Sequence, residues 1–181
     1  MKIFITGDSG AGKSTLAIAL KEKLGIPVFH ADLYRFKDEY TMHPYDEFKN
    51  KIQSIISENQ SYILDGCEFG DDPEVFIKVL NDADIVINFD VSPRLAISGF
   101  FNRVFNYKEK NMQPSATGNV GESESVEYFK IWLDFYYSRL HVKTQREPLF
   151  KKVSKKVRTV RNHQESDNLL AELVETYAAA T

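Results

Sequence analysis

Short apolar runs alternate with amphipathic stretches along most of the chain. Ile3 to Thr6 is an apolar, β-rich run that ends in a glycine cluster, and Lys13 to Leu24 repeats apolar residues at helical spacing. The same alternation predicts strands at Ile26 to His30, Ser61 to Asp65, Asp84 to Asp90 and Lys156 to Val160. It predicts helices at Tyr45 to Glu58, Pro73 to Leu80, Pro93 to about Tyr107, Val126 to about Lys143 and Glu165 to Tyr177.

The predicted strands are continuously apolar rather than alternating, as in the run DIVINFD. Strands that are buried on both faces have this pattern, and strands separated by helices form a parallel sheet covered by those helices. The sequence therefore predicts an α/β domain of three layers. Around residues 106–125 the apolar pattern lapses into a polar stretch rich in Gly, Ser and Asn, which we predict to be a mobile loop.

Composition and charge narrow the class of protein. The 181 residues, of which 43% are hydrophobic and 27% charged, suit one globular domain covering residues 1–181. A net charge of −3 and a pI near 5.8 argue against a nucleic-acid partner. Cys67, the single cysteine, cannot form an intrachain disulfide, and no apolar run approaches the length of a membrane span. We expect a cytoplasmic protein without a membrane partner; its oligomeric state leaves no signal in the sequence.

A phosphate-binding motif follows the first predicted strand. The residues match G-x-x-x-x-G-K-[ST] in full: Gly7, Asp8, Ser9, Gly10, Ala11, Gly12, Lys13 and Ser14. In such a loop the backbone N–H groups converge on phosphate oxygens, and glycine permits the required approach. We expect Lys13 to reach the β and γ phosphates of ATP, Ser14 to contact Mg²⁺, and Thr15 to support the loop. A chance glycine-rich turn is the alternative, but a strand before and a helix after are the context that the motif requires.

A second candidate element is the apolar strand Tyr62 to Asp65, which ends in Asp65-Gly66. This is the form of a Walker B element, whose carboxylate sits beside the phosphate loop and holds Mg²⁺ or its waters. The alternative is a strand followed by an ordinary Asp-Gly turn. The presence of the phosphate loop favours the first interpretation, with Ser14 and Asp65 as the metal-binding pair.

The remaining motifs favour a small kinase among proteins with this loop. The chain has neither an Asn-Lys-x-Asp guanine-reading motif nor the Ser-Gly-Gly signature of ABC ATPases, and it is short for motor or AAA-type modules. The histidines show no metal-ligand spacing, and we assign them no role. The leading hypothesis is an ATP- and Mg²⁺-dependent kinase of a nucleotide, nucleoside or similar small metabolite. The alternatives are a regulatory or DNA-associated protein that binds ATP without transferring phosphate, and a stand-alone NTPase.

The segments MKIFITGDSGAGKST, GIPVFHAD, SYILDG and ADIVINFDVS carry a resemblance that spans nearly the whole chain. Their layout resembles the adenylate-kinase-like group of P-loop kinases and, more closely, the bacterial proteins called DNA topology modulation proteins. The resemblance implies a five-stranded parallel sheet in the order 2-3-1-4-5. It also implies ATP on the phosphate loop and an acceptor held under the helices that follow the second strand.

The resemblance also suggests roles for individual residues. Asp32 matches the position that orients or deprotonates the acceptor hydroxyl, Arg35 would contact the acceptor's anion, and Asp65 would border the same space. Arg103 lies in the helix where similar kinases begin the lid and place an arginine on the transferred phosphate, and Arg161 lies near the expected adenine pocket. The structural alternatives are that Asp32 caps its helix and that Arg103 is an ordinary solvated arginine.

Overall fold

The structure is a computed structural model. It describes residues 1–35, 42–66, 73–110 and 147–179, together with Lys130, Leu133, Tyr137 and Thr144, and for residues 103–110 it describes the backbone only. Cys67 and most of the predicted helix from Val126 lie outside the described residues. None of the helices in this part of the chain combines the length and the hydropathy of a membrane span.

Five parallel strands form one sheet in the order β2-β3-β1-β4-β5, as the resemblance implied. The strands are β1 (Lys2–Gly7), β2 (Val28–His30), β3 (Tyr62–Asp65), β4 (Ile85–Phe89) and β5 (Val157–Val160). The helices whose bounds the structure defines are α1 (Lys13–Leu24), α2 (Ala31–Arg35), α3 (Tyr45–Glu58), α4 (Pro73–Asp82), α5 (Pro93–Lys110) and α6 (His163–Ala178), and residues 147–152 are also helical. The chain leaves β1 in the centre of the sheet, crosses to β2 at one edge, and returns past β1 to the other edge.

Both faces of the sheet are covered, which explains why the strands are continuously apolar. Along β1, Ile3 and Ile5 point to one face and pack with α1 and α6, while Phe4 points to the other and packs with α3 and α4. Each of these three side chains is fully buried. The three-layer α/β architecture predicted from the sequence is therefore confirmed.

Element boundaries differ from the prediction by one to a few residues, for local chemical reasons. β2 begins at Val28 because Pro27 has no N–H to donate to a neighbouring strand, although its carbonyl accepts from Ile63 at 2.8 Å. Lys156 precedes β5 in a 3₁₀ turn, and its ammonium donates to the carbonyls of Asn81 and Ala83 at 3.0 and 2.9 Å.

Helix α5 begins at Pro93 as predicted, and the Ser92 hydroxyl accepts from the N–H of Leu95 at 3.3 Å.

The predicted mobile loop is described only at its start. Residues 106–110 continue the backbone of α5, so the helix extends three residues beyond the predicted end near Tyr107. Residues 111–125 lie outside the described residues. The single-domain and lid assignments therefore stay predictions.

Candidate active site

The glycine-rich segment forms a loop between β1 and α1, as the motif requires. Gly10 and Gly12 have backbone φ angles of 79° and 100°, a region that side chains with a Cβ rarely adopt. Gly12 is also the residue before α1, and its carbonyl accepts the first helical bond, from the N–H of Leu16 at 3.1 Å. The loop thus ends at the amino terminus of a helix, where peptide dipoles favour phosphate.

The tip of this loop rests directly on α5. A Cβ placed on Gly99 would overlap the carbonyl oxygen of Gly10, and a Cβ on Gly10 would overlap the backbone of Ala96 and Phe100. Two glycines therefore face each other where the loop and the helix meet, and both are needed for the close approach. This contact was not predicted from the sequence, because Gly99 belongs to no recognised motif.

The Lys13 side chain is buried beneath the loop. Its Nζ donates to the carbonyl oxygen of Asp8 at 2.9 Å, so the ammonium lies against the backbone that would surround the phosphates. A buried cation requires compensating charge, and Asp65 supplies it from the neighbouring strand. Lys13 is therefore positioned to exchange the Asp8 carbonyl for phosphate oxygens.

Asp65 and His30 meet at the carboxyl ends of adjacent strands. In the parallel register Asp65 pairs with Ile5 of β1 on one side and with His30 of β2 on the other. His30 Nδ1 lies 2.8 Å from Asp65 Oδ2, and the two side chains are 19% and 4% exposed. The predicted Walker B aspartate thus lies beside the phosphate loop with a histidine as its partner.

The environment of Asp65 keeps its carboxyl group ionised. Burial alone would raise its pKa. The hydrogen bond with His30, the charge of Lys13 and the hydroxyl of Ser14 outweigh burial and hold the pKa of Asp65 below its usual value. The Ser14 hydroxyl contributes to this lowering, but neither it nor any other described group completes a hydrogen bond to Asp65 Oδ1.

The Oδ1 atom of Asp65, which has no hydrogen-bond partner among the described residues, is suited to bind a divalent cation. A buried acceptor without a partner costs on the order of 1–3 kcal/mol, so such an atom in a folded protein calls for an explanation. Mg²⁺ is usually bound through one or two carboxylates plus substrate phosphates and waters. Asp65 and Ser14 are an adequate donor set on those terms, although the described residues contain no group of three acidic, His or Cys ligands.

The two candidate acceptor residues lie on α2, immediately after β2. Asp32 is half-buried in the first turn of the helix, one residue after its first residue, and its role stays a prediction. Arg35 ends the helix, and its Nη1 donates to the carbonyl oxygen of His43 at 2.9 Å. Its guanidinium centre lies 5.5 and 5.8 Å from the ring centres of Tyr45 and Phe48.

The remaining candidate residues are Arg103, Arg161 and Thr15. Arg103 lies on α5 four residues after Gly99, but its side chain is outside the described part of the structure. Arg161 is exposed directly after β5, and its N–H donates to Glu165 at 2.8 Å. Thr15 is exposed on α1. No role was assigned to His30 from the sequence, although its place at the end of β2, next to β3 in the strand order, was a signal that could have found it.

Two solved structures share this fold along nearly their whole length. The shikimate kinase of Bacteroides thetaiotaomicron gives a TM-score of 0.55 at 16% sequence identity, covering 97% of this chain and 97% of that chain. The shikimate kinase of Aquifex aeolicus gives 0.51 at 14% identity, covering 99% and 98%. No protein-family model and no curated protein matches the chain. At these identities the likeness shows the fold, which is that of P-loop kinases.

Proposed function

We propose that the chain is an ATP-dependent phosphotransferase acting on a nucleotide, nucleoside or similar small metabolite. The observation that carries the proposal is the ionised, buried Asp65 with one unpartnered oxygen, beside Lys13 and Ser14 at the end of a complete phosphate loop. These are the parts that phosphoryl transfer requires for charge neutralisation and positioning. The kinase fold of the structural neighbours supports it.

On this proposal the loop N–H groups and Lys13 bind the β and γ phosphates of ATP. Ser14 and Asp65 hold Mg²⁺, which when bound neutralises charge on the phosphate oxygens. The buried surroundings of the site strengthen these electrostatic interactions, since fewer waters compete with them. Arg103, one helical turn after the contact between α5 and the loop, is the candidate for balancing charge on the transferred group.

Asp32 would accept the proton of the acceptor hydroxyl. The hydroxyl oxygen forms a bond to the γ-phosphorus, the bond from that phosphorus to the β–γ bridging oxygen breaks, and ADP leaves with the electron pair. Position supports this role, because Asp32 lies two residues after His30 at the same edge of the sheet as Asp65.

Arg35 would bind an anionic group of the acceptor. A guanidinium carries several N–H donors, so one bond to His43 does not exhaust them. The rings of Tyr45 and Phe48 lie close to the guanidinium and restrict its motion, which reduces the entropy lost when an anion binds. An acceptor with a carboxylate or phosphate group would form hydrogen bonds with the Arg35 side chain.

The likeness to topology modulation proteins and a cytoplasmic location stay predictions.

The experiment that tests the proposal is ADP production from Mg·ATP across a panel of nucleoside monophosphates, nucleosides and hydroxylated carboxylates. Wild type is assayed beside Asp32→Asn, which keeps the side-chain volume but cannot take up the proton. We expect acceptor-dependent ADP release that falls by about 10² to 10⁴-fold in the variant. Hydrolysis independent of every acceptor would instead indicate an NTPase, and ATP binding without turnover would indicate a regulatory protein.

A further inference from the structure

We propose that His30 is a positioning residue for the metal-binding carboxylate. It holds Asp65 Oδ2 so that Oδ1 stays directed to Mg²⁺ or its waters. The inference rests on the proposed function, because it concerns the same nucleotide site. His30 itself would contact neither the phosphates nor the metal.

The geometry supports a fixed pair. Nδ1 and Oδ2 are 2.8 Å apart, within the range of charge-assisted hydrogen bonds. The residues are register partners on adjacent parallel strands, so the backbone ladder of the sheet sets the separation of their Cα atoms. The distance therefore depends on the buried core rather than on a loop.

The direction of the hydrogen bond follows from the state of the carboxylate. An ionised carboxylate can only accept, so in this pair His30 Nδ1 donates and Asp65 Oδ2 accepts. This assigns Oδ2 to His30 and leaves Oδ1 as the acceptor without a described partner. The two oxygens of the Asp65 carboxylate therefore have different roles: Oδ2 accepts from His30, and Oδ1 is left for Mg²⁺ or its waters.

Removing the donor would free the carboxylate to turn. Rotation about the last side-chain bond of an aspartate is soft, and the charge of Lys13 also acts on this carboxylate. A carboxylate turned away from its present orientation would misplace Oδ1. Partners of this kind, which orient a metal ligand, typically contribute about 10 to 100-fold to metal affinity or activity.

The test measures how much the metal strengthens ATP binding. Calorimetry gives the dissociation constant of ATP in EDTA and that of Mg·ATP, and their ratio is the contribution of the metal. We expect His30→Leu to lower this ratio by about 10 to 100-fold relative to wild type while leaving the EDTA value within about threefold. Asp65→Asn provides the reference for loss of the metal ligand.

A matched pair of variants separates the effect of the hydrogen bond from the effect of the imidazole ring. In His30→Asn the amide nitrogen takes the place of Nδ1, so the ratio should return to within about threefold of wild type. In His30→Gln the amide lies one atom farther out, and the ratio should stay low. If His30→Leu does not fold, as judged by circular dichroism, the comparison of Asn with Gln decides the question alone.

The outcomes distinguish the inference from the proposed function. A wild type that binds no ATP, or that gains nothing from Mg²⁺, would overturn both. A wild type that responds to Mg²⁺, together with His30→Leu at the wild-type ratio, would overturn the role of His30 only. Equal ratios in the Asn and Gln variants, or loss of ATP binding in EDTA as well, would show that His30 maintains structure instead.

Discussion

The phosphate side and the acceptor side of the candidate site are built from different parts of the fold. Asp65 ends the buried strand β3, His30 ends the partly buried strand β2 beside it, and Lys13 begins the helix after the loop that follows β1. Asp32 and Arg35 lie on a five-residue helix with an exposed Leu33 between them. The sheet therefore fixes the phosphate side, whereas side-chain contacts with α3 fix the acceptor side.

This difference suggests how the two sides tolerate change. Atoms held by a buried parallel sheet can move only if the core repacks, which is costly. A short helix held by aromatic and hydrogen-bonding contacts can be re-shaped at lower cost. We therefore expect ATP chemistry to be intolerant of substitution and acceptor choice to be adjustable, and three substitutions probe this contrast.

The largest effect is expected for Lys13→Met, which keeps the apolar stem and removes the charge. Loss of the cation at the γ phosphate should reduce turnover by about 10³-fold or more. ADP release from Mg·ATP is the measurement, with circular dichroism to confirm folding. Turnover close to wild type in a folded variant would remove Lys13 from the mechanism and would weaken the distinction between the two sides.

An intermediate effect is expected for Gly99→Ala. Alanine normally stabilises a helix interior by about 1 kcal/mol relative to glycine, but here its Cβ would overlap the Gly10 carbonyl. We expect lower thermal stability and ATP binding weakened by about 10 to 100-fold, because the loop must shift.

The matched control for this substitution is Gly25→Ala. Unlike Gly99, Gly25 has a backbone that disfavours alanine, with φ of 68°, but nothing lies within 4 Å of its added Cβ. It should lose stability by about 1 kcal/mol and keep its ATP affinity. Equal ATP affinities for both variants would show that the contact between α5 and the loop does not shape the phosphate site.

The smallest effect is expected on the acceptor side, for Arg35→Lys. Lysine keeps the charge but loses the planar contact with Tyr45 and Phe48 and the forked donors. The KM of the acceptor should rise by about tenfold with the KM of ATP unchanged.

The control for Arg35→Lys is Lys51→Gln. This substitution removes the Lys51 ammonium, which lies 5.4 Å from the centre of the Tyr34 ring. It should change neither the KM of the acceptor nor the KM of ATP. A KM for ATP that rises with that of the acceptor would contradict the separation of the two sides.

Sequence patterns predicted individual elements well where the signal is local. The loop motif is contiguous, and the helices α1 and α3 have the predicted bounds. The resemblance supplied the strand order, since periodicity alone does not say which strands are neighbours. Asp65 was chosen for its place at the end of an apolar strand, and its metal-binding role stays a prediction.

Contacts between distant segments were not predicted. His30 meets Asp65 only because β2 and β3 are neighbours, and Gly99 meets Gly10 only because α5 packs on the loop. Gly99 lies in no recognised motif. For His30 the signal depends on the order of the strands, which pattern and spacing do not determine. The position of the Arg35 side chain against Tyr45 and Phe48 likewise depends on the angle between α2 and α3, which local propensity does not determine.

The most direct test of the central claim follows the γ-phosphoryl group itself. ATP labelled with ³²P at the γ position is incubated with Mg²⁺, wild-type protein and the acceptor that gives the fastest ADP release, and the products are separated. A phosphotransferase should place the label on the acceptor, in amounts equal to the ADP formed, and this transfer should be lost in Lys13→Met. Label found only in inorganic phosphate would contradict a phosphotransferase and would identify water as the acceptor.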